Sequence, residues 1–373
     1  MLKAGILGGG QLGRMLLQAA ANYPVLTFVM ENDPDCPSAH LCHHFQQGDI
    51  TSYDDVISFG RMVDVLTIEI ENVNVEALEK LESEGKRIIP RPSALRTIKN
   101  KIYQKQFYSS NNIPTSEFVI TSSKNDVSMN PGFLPGVHKL ATGGYDGRGV
   151  QILEDEDSLQ HAFDAPAVLE KKIDLEKEIA MMVAVFEDGK TVLYPPVDMV
   201  FDHSLNLLNH QVCPAELPEK TLWKAEAIAL AVVRALKSPG IFAVELFTDK
   251  EGNVLVNETA PRVHNSGHHT IEACYSSQFD MLWRIMLEYP AGNTKSMMSS
   301  SLVNLIGEEG YTGPAVYDGL DKVLAMDNVF VHIYGKANTK PGRKMGHVTI
   351  LSNEKQDLLY KANLIRKTLF VKS

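Results

Sequence analysis

Short apolar runs alternate with amphipathic segments over residues 1–95. Alternating apolar positions predict strands, and apolar positions three or four residues apart predict helices. On this basis we predict strands at 3–7, 25–30 and 63–70 and helices at 11–21, 53–61 and 75–85. Pro90 and Pro92 then interrupt either regular structure and predict a linker. The alternation favours a βαβ arrangement.

The rest of the chain mixes strand, helix and loop signals. A helix rich in Lys, Gln and aromatic residues is predicted at 94–109, and a glycine-rich run follows at 143–149. Further elements are predicted as strands at 167–170, 178–186, 329–334 and 347–351 and as an amphipathic helix at 222–236. A basic loop spans 335–347.

The composition is typical of a globular protein, with 44% hydrophobic and 22% charged residues. A chain of 373 residues is long enough for two or three domains. The formal net charge of −10 argues against a nucleic-acid surface, so a phosphorylated substrate would need a few local cations. Four scattered cysteines, with no signal peptide or membrane-length apolar run, predict a cytoplasmic protein.

The region 241–258 reads as a β-hairpin with one acid in each strand, Glu245 and Glu258. We predict that Glu245 lies opposite Val256 and that Glu258 is one diagonal step away on the same face. Two such carboxylates, with Asn257 and Asn265 nearby, suit Mg²⁺ shared with substrate phosphates. The alternative is a solvated face. Against it stand the apolar residues predicted on that face, Ala243, Phe247, Val254 and Val256.

The turn Gly8–Gly13 has the form G-x-G-x-x-G between a strand and a helix, with Glu31 ending the next strand. It resembles a dinucleotide fingerprint, which would indicate an NAD(P)-dependent oxidoreductase. It also fits a turn that packs a helix on a sheet, or a helix N-terminus that holds another ligand's phosphate. Ser38 could supply a hydroxyl to that phosphate. The motif alone leaves these alternatives open.

The run Gly143–Gly149 is a second glycine-rich segment whose main chain could approach phosphates closely. A plain glycine-rich hairpin is the alternative, and Lys139 just upstream favours the phosphate interpretation because nucleotide phosphates need a fixed cation. In 170–173, Glu-Lys-Lys-Ile, a main-chain amide and carbonyl could meet an adenine edge. Glu178 could accept hydrogen bonds from ribose hydroxyls.

Two basic segments could bind anions. Arg262, in the run 262–268, offers a planar bidentate donor that suits bicarbonate or a carboxylate beside a metal. The loop that carries Lys336, Lys340, Arg343 and Lys344 is either solvated or a clamp for a substrate phosphate.

Together these motifs resemble one known family along essentially the full chain. The segments that carry the resemblance are GILGGGQLGRM, IEIENV, GGYDGRG, VNETAPRVHNSGHHTIEAC and HIYGKANTKPGRKMGH. They are similar to those of N5-carboxyaminoimidazole ribonucleotide synthetases, which are ATP-grasp carboxylases of purine biosynthesis. This chain departs from the family at Lys101, where arginine is common, and at 138–142, where a Val-Lys-Thr-Arg type of run is usual.

The resemblance implies an α/β (α+β overall) ATP-grasp fold with an N-terminal Rossmann-like pre-ATP-grasp domain and a C-terminal extension. We expect domains at 1–95, 96–168 and 169–373, and a homodimer. The implied reaction uses Mg²⁺ and ATP to convert bicarbonate into carboxyphosphate. The CO₂ released from it is captured by the amine of 5-aminoimidazole ribonucleotide. The alternative is another ATP-grasp ligase, such as one that transfers formate to a ribonucleotide amine.

The resemblance also assigns site residues. It implies that Mg²⁺ binds Glu245 and Glu258. The nucleotide would be bound by Lys101, Lys139, Gly143, Gly144, Tyr145, Asp146, Gly147, Arg148, Gly149, Glu170, Lys171, Lys172, Ile173, Glu178, His203, Asn257 and Glu258. Bicarbonate would be held by Arg262, His264 and Asn265, and Asp146 would accept the proton of the amine. The ribonucleotide would be bound by Gln11, Ser38, Glu71, Tyr145, Lys336, Arg343 and Lys344.

Overall fold

The computed structural model describes residues 1–144, 149–202 and 207–373. The N-terminal strands are β1 (Leu2–Leu7), β2 (Val25–Glu31), β3 (His44–Gln47), β4 (Val65–Ile68) and β5 (Arg87–Ile89). The helices between them are α1 (Gln11–Ala20), α2 (Tyr53–Arg61) and α3 (Val75–Ser83). The strands form a parallel sheet in the order β3-β2-β1-β4-β5, so the predicted βαβ arrangement is present.

A second unit follows. Its elements are α4 (Pro92–Lys99), α5 (Lys101–Ser110), β6 (Phe118–Thr121), α6 (Lys124–Ser128), β7 (Gly136–Leu140), β8 (Val150–Leu153) and β9 (Ala167–Lys171), with 3-10 turns at Pro131–Phe133 and Asp157–His161. The strands form an antiparallel sheet in the order β6-β9-β7-β8. The single helix predicted at 94–109 is wrong. The helix breaks at Asn100, whose side chain accepts hydrogen bonds from the amides of Ile102 and Tyr103 and so starts α5.

The remaining elements form one large sheet, two small two-stranded sheets and several helices. They are β10 (Leu175–Val185), β11 (Thr191–Leu193), β12 (Val197–Asp202), β13 (Leu207–Cys213), α7 (Glu219–Leu236), β14 (Gly240–Asp249), β15 (Val254–Ala260), a 3-10 turn (Asn265–Gly267), α8 (Thr270–Ala273), α9 (Gln278–Met286), β16 (Ser300–Ile306), β17 (Gly313–Pro314), β18 (Val316–Asp318), α10 (Leu320–Leu324), β19 (Val329–Ile333), β20 (Asn338–Thr339), β21 (Lys344–Leu351), α11 (Lys355–Thr368) and β22 (Phe370–Lys372).

In the described part of the chain, the large sheet has nine strands. Eight run in the order β15-β14-β10-β12-β13-β16-β21-β19, and β11 pairs with β10. The predicted basic loop 335–347 is partly wrong, because β20 forms within it and β21 already begins at Lys344.

The two faces of the sheet bury different helices. Val232 and Val233 of α7 pack with Val244 of β14 on one face. On the other face, Trp283 of α9 lies in the same core cluster as helix α1, and its indole Nε1 donates to the carbonyl of Leu16 at 2.7 Å. That contact joins the large sheet to the N-terminal unit. None of the helices in the described ranges combines the length and apolar composition that crossing a membrane requires.

Candidate active site

Glu245 and Glu258 face each other directly across β14 and β15. The next pair is Leu246 with Val256, so Asn257 is an extra residue and forms a β-bulge. The predicted register, with Glu245 opposite Val256 and Glu258 one diagonal step away, is therefore wrong. Because of the bulge, Asn257 and Glu258 both reach lysines in the same cleft.

The bulge also changes which apolar residues accompany the acids. Val254 and Val256, predicted on the acidic face, instead pack with Val244 and Leu246 in the core on the opposite face. Ala243 stays on the acidic side, in the core cluster that contains α9. The two glutamates therefore line a cleft whose apolar surroundings come mainly from other elements.

Glu178 of β10 is a third carboxylate on this face. It lies diagonally from Glu245, because Ala180 is the β10 residue opposite Glu245. Burial raises the pKa of Glu245 to about 8, and the charges of Glu258 and Glu178 act in the same direction. Burial likewise raises the pKa of Glu178 to about 7, although the charge of Lys139 opposes this. At neutral pH, carboxyl groups with pKa values raised in this way stay partly protonated unless a cation binds beside them.

Lys101 and Lys139 bring positive charge to the cleft from the second unit. Lys101, at the start of α5, forms an ion pair with Glu258, and its charge lowers the pKa of that carboxyl. The Lys139 ammonium, on β7, lies 2.8 Å from Oδ1 of Asn257 and 3.0 Å from Oε1 of Glu170. Both lysines thus reach the acidic cleft, and their contact with phosphates stays a prediction.

Lys105 belongs to the same cluster and was missed by the sequence analysis. Its ammonium lies 2.8 Å from Glu170 and donates to the hydroxyls of Thr115 and Ser116 at 2.6 and 2.9 Å. Burial lowers the pKa of Lys105 to about 8. Burial acts to raise the pKa of Glu170, but its lysine partners outweigh this and lower the pKa to about 2. The sequence did contain a signal for Lys105: it follows Lys101 by four residues, and this spacing places both side chains on one face of a helix.

These ion pairs leave little space between the lysines and their partners. The cavity that remains has a volume of about 10 Å³ and is lined by Lys101, Gln104, Lys105, Lys139, Glu170 and Asn257. A nucleotide phosphate would therefore have to replace contacts that the lysines now make with Glu258, Glu170 and Asn257.

The segment predicted to bind adenine is mostly occupied by its own sheet. The amide of Lys171 donates to the carbonyl of Glu117 at 2.9 Å, and the amide of Lys172 donates to that of Pro135 at 3.0 Å. The Lys171 and Lys172 side chains lie near surface carboxylates outside the cleft. These two amides are therefore already paired, and the adenine contact predicted for a main-chain amide and carbonyl of 170–173 stays a prediction. The next residue, Ile173, is half-buried.

Three predicted anion ligands follow β15. The guanidinium Nε of Arg262 lies 2.9 Å from Oε1 of Glu71 in the N-terminal unit. The imidazole Nε2 of His264 lies 3.8 Å from Oε1 of Glu245. The side-chain nitrogen of Asn265 is buried and has no hydrogen-bond partner within the described ranges. The structure thus brings Arg262, His264 and Glu71 to the edge of the acidic cleft.

The basic loop reaches the same cleft through Lys344, whose charge is one of those that act on Glu245. The ammonium of Lys336 donates to the carbonyl of Lys344 at 2.7 Å. The guanidinium of Arg343 donates to the carbonyl of Asn338 at 2.7 Å. The predicted cluster of cations is therefore present at the start of β21.

The glycine-rich turn after β1 binds carboxylates of its own chain. The amide of Gly9 donates to Glu31 at 2.9 Å, and the amides of Gly10 and Leu12 donate to Glu69 at 3.1 and 3.0 Å. Donors already bonded to two carboxylates do not suit a pyrophosphate, so the dinucleotide interpretation is not supported. Glu31 serves the turn instead of a ribose.

Two predicted substrate residues lie at the same turn. Ser38 is fully buried, and its hydroxyl donates to the carbonyl of Gly10 at 3.4 Å. In this arrangement the hydroxyl bonds to the turn, and its contact with a substrate phosphate stays a prediction. Gln11, the first residue of α1, is half-buried.

Part of the predicted site lies outside the described residues: Tyr145, Asp146, Gly147, Arg148 and His203. Of the flanking residues, Gly143 and Gly149 have φ angles of 80° and 75°, which favour glycine. The carbonyl of Gly149 accepts from the amide of Leu140 at 2.9 Å, next to the β7–β8 strand pair. Gly144 precedes the undescribed positions.

A wider cavity of about 380 Å³ lies away from these residues, where β5 meets the β10–β11 turn. The cationic groups that line it bond to their own chain: Lys86 to two carbonyls, Arg87 to the carbonyl of Met286 and Arg91 to Glu187. Its size alone does not make it the functional site.

Three family models match the chain. They are the ribonucleotide synthetase preATP-grasp domain at 1–99, the ATP-grasp domain at 106–279 and the phosphoribosylaminoimidazole carboxylase C-terminal domain at 300–361. Fold and site therefore define an ATP-grasp protein, a member of a class of ATP-dependent ligases.

Related proteins show which family within this class the chain belongs to. The N5-carboxyaminoimidazole ribonucleotide synthase of Aquifex aeolicus is 33% identical over 374 residues, which cover 98% of this chain and 96% of that protein. The enzyme of that name from Brucella melitensis is 35% identical over 356 residues, covering 92% and 95%. The chain belongs to the N5-carboxyaminoimidazole ribonucleotide synthetase family, so the resemblance of its motifs is confirmed. It spans only 64% of the chloroplastic phosphoribosylaminoimidazole carboxylase of Vigna aconitifolia, to which it is 36% identical over 94% of its own length.

Solved structures agree. The N5-carboxyaminoimidazole ribonucleotide synthetase of Thermotoga maritima superposes with a TM-score of 0.93 at 37% identity and covers 100% of both chains. The Aspergillus clavatus synthase, in complex with ADP and 5-aminoimidazole ribonucleotide, gives a TM-score of 0.89 at 29% identity over 98% of both chains. The predicted ATP-grasp fold, with its N-terminal preATP-grasp domain and C-terminal extension, is confirmed.

Proposed function

We propose that this protein uses ATP and bicarbonate to carboxylate 5-aminoimidazole ribonucleotide, giving N5-carboxyaminoimidazole ribonucleotide, ADP and phosphate. The observation that carries this proposal is the Glu245–Glu258 pair, with Lys101 on one side and His264 on the other. A cation site, phosphate-binding lysines and anion-binding residues then share one cleft. Family membership supports the same reaction.

Mg²⁺ fits the paired carboxylates. Glu245 holds its proton to about pH 8 because it is buried and faces two other acids, an arrangement that a divalent cation would relieve. Glu245 and Glu258 would hold the ion, and phosphate oxygens would complete its shell. When bound, the ion neutralises charge as the γ-phosphoryl group moves.

The lysines would hold the ATP phosphates. Lys101 and Lys139 exchange their present carboxylate and amide partners for phosphate oxygens, while Lys105 keeps Glu170 in place. Glu178 would accept from the ribose, and the run 143–149 would cover the phosphates and exclude water, since carboxyphosphate hydrolyses readily. We also propose that Ile173, His203 and the carbonyls near 171 contact the nucleotide.

Bicarbonate would lie against Arg262, His264 and Asn265. One of its oxygens attacks the γ-phosphorus and ADP leaves, which produces carboxyphosphate. Carboxyphosphate breaks into CO₂ and phosphate, the amine attacks the CO₂ carbon, and the proton that the amine loses passes to Asp146. The buried side-chain nitrogen of Asn265 supports an anion there, because it has a proton to donate.

The ribonucleotide would bridge the N-terminal unit and the basic loop. Glu31 and Glu69 make the glycine-rich turn acidic, which disfavours a phosphate at that end. The phosphate would therefore lie with Lys336, Arg343 and Lys344, and the ribose and base near Gln11, Glu71 and Tyr145. We propose domains at 1–95, 96–168 and 169–373, assembled as a homodimer.

ADP release from Mg·ATP and bicarbonate, measured with and without 5-aminoimidazole ribonucleotide, tests the function. We expect strong stimulation by the ribonucleotide and one carbamate per ADP. Formate in place of bicarbonate tests the alternative ligase, and we expect no ADP from it. If no combination releases ADP, the proposal is wrong.

A further inference from the structure

Gln278, the first residue of α9, is fully buried and uses its whole side-chain amide on two histidines. Its Oε1 accepts from the amide of His264 at 2.8 Å, and its Nε2 donates to the carbonyl of His264 at 2.8 Å. The second Nε2 hydrogen faces Nδ1 of His268 at 3.1 Å. One amide orientation satisfies all three bonds, and the flipped orientation would place donor against donor.

Gln278 is itself held in place by hydrogen bonds and close packing. Its own amide donates to the hydroxyl of Thr270 at 2.9 Å, and that hydroxyl donates to the carbonyl of Gly267 at 2.5 Å. A Cβ at Gly267 would lie 2.5 Å from Oε1 of Gln278, so glycine is needed for this approach. Helix α9 belongs to the core cluster that joins the large sheet to α1.

The imidazole ring of His264 is held by hydrogen bonds of its own. The amide of Ser266 donates to Nδ1 of His264 at 3.4 Å, and the Ser266 hydroxyl lies 3.0 Å from the same atom. A main-chain N–H at Nδ1 means that Nδ1 is an acceptor, so the ring proton is on Nε2. That Nε2 faces the Glu245 carboxylate at 3.8 Å.

We propose that Gln278 is a positioning residue that holds the main chain of His264, so that the Nε2 proton of His264 points into the anion site. The inference rests on the proposed role of His264 toward bicarbonate. Displacement of a substrate-binding group by about 1 Å costs on the order of 100-fold in rate. Loss of the Gln278 hydrogen bonds to His264 should therefore lower the rate at which bicarbonate reacts and leave the lysine-lined nucleotide site unchanged.

The test compares Q278L and Q278E with Q211L, which alters another buried glutamine outside the proposed catalytic and binding machinery. We expect Q278L to lower kcat/KM for bicarbonate about 10- to 100-fold, while its Kd for Mg·ADP stays within about twofold of wild type. Q278E should show the same loss at pH 8 and recover partly toward pH 6, relative to wild type at each pH. A protonated carboxyl regains one donor for the carbonyl of His264, and a purely structural role would give no such recovery.

Wild-type kinetics for bicarbonate in folded Q278L or Q278E would overturn the proposal. So would failure of both variants to fold, because Gln278 would then support the fold as a whole. The proposed function is judged separately by wild-type ADP release. If that fails, NMR of the His264 imidazole still tests Gln278, and we expect its resonances to shift in Q278L and to stay unchanged in Q211L.

Discussion

Glu245 lies directly opposite Glu258 across two adjacent strands, and a bulge at Asn257 produces this pairing. Without the bulge the alternation would send one of the acids into the apolar core. The first prediction concerns this pair. We expect Glu258→Gln to lower ribonucleotide-dependent ADP release at least about 100-fold, because a lost Mg²⁺ ligand removes several kcal/mol of charge stabilisation.

Steady-state ADP release at saturating Mg²⁺ measures this effect. Glu251→Gln, at an exposed glutamate in the turn of the same hairpin, is the matched control and should retain wild-type activity. Full activity in Glu258→Gln would show that the paired carboxylates do not hold the ion.

The second prediction concerns pH. Burial raises the pKa of Glu245 from 4.5 to about 8 and that of Glu178 to about 7. The unfolded chain therefore loses these protons at lower pH than the folded chain does. Between about pH 4.5 and pH 8, raising the pH favours unfolding through these two groups, while the buried histidines His268, His269 and His347, whose pKa values burial lowers, act in the opposite direction in the acidic part of that window. The prediction therefore concerns the stability of the nucleotide-free wild type relative to Glu245→Gln, which should fall as the pH rises.

Urea unfolding at pH 5, 6, 7 and 8 measures the trend. Glu245→Gln carries no titrating proton at this position, so its free energy of unfolding should increase relative to that of wild type from pH 5 to pH 8. Mg·ADP should raise the melting temperature more at pH 8 than at pH 6, because ion binding requires Glu245 to be ionised. A thermal shift independent of pH would contradict this prediction.

The third prediction concerns Lys105, which is only 4% exposed and bonds to Glu170 at 2.8 Å. Lys105→Met leaves a buried carboxylate with one cation fewer, so the free energy of unfolding should fall by about 3 kcal/mol. Glu170 would then hold Lys139 more tightly, and nucleotide affinity should fall as well. Urea denaturation and ATP titration measure the two effects.

The control for Lys105 is Lys171→Met, because Lys171 is exposed and lies 3.9 Å from its acidic partner, Glu117. Its stability should change by less than about 0.5 kcal/mol. Equal stabilities of the two variants would remove the structural role assigned to Lys105.

The fourth prediction concerns the glycine-rich turn. A Cβ at Gly10 would lie 2.4 Å from Oε1 of Glu69, whose Oε2 accepts from the amide of Gly10 and whose Oε1 accepts from the amide of Leu12. Gly10→Ala should therefore destabilise the fold by about 2–4 kcal/mol. Gly132→Ala, where a Cβ would meet nothing within 4 Å, should change stability little. Thermal melting compares the two variants, and similar melting temperatures would disprove the close approach.

Local sequence patterns predicted the elements that position the site but not every contact between them. The predicted hairpin strands around Glu245 are present because periodicity and turn residues act over short distances, whereas the single helix predicted around Lys101 is broken at Asn100. The bulge at Asn257 could not be predicted, since the alternation of the two strands does not mark an extra residue. The pairing of Arg262 with Glu71 joins residues that are far apart in sequence, and nothing in either segment indicates it.

Residues with two chemically reasonable roles were also hard to assign. Glu31 at the end of β2 suits a ribose hydroxyl as well as a main-chain amide, and only the folded chain shows that Gly9 is its partner. Ser38 is polar and follows a strand, yet it is fully buried against the same turn. Burial, which the sequence does not specify, decides between such roles.

The β10–β14–β15 strands that carry the acidic cleft are hydrogen-bonded, through β12 and β13, to the β16, β21 and β19 strands of the C-terminal extension. The distance from Glu245 to the basic loop at the start of β21 is therefore set within one continuous sheet. Lys139, in contrast, is carried by the separate antiparallel sheet β6-β9-β7-β8. If nucleotide entry requires the cleft to widen, rotation of that smaller sheet is the movement that separates Lys139 from Asn257 and Glu245, while the spacing between the Glu245–Glu258 pair and Lys344 stays fixed.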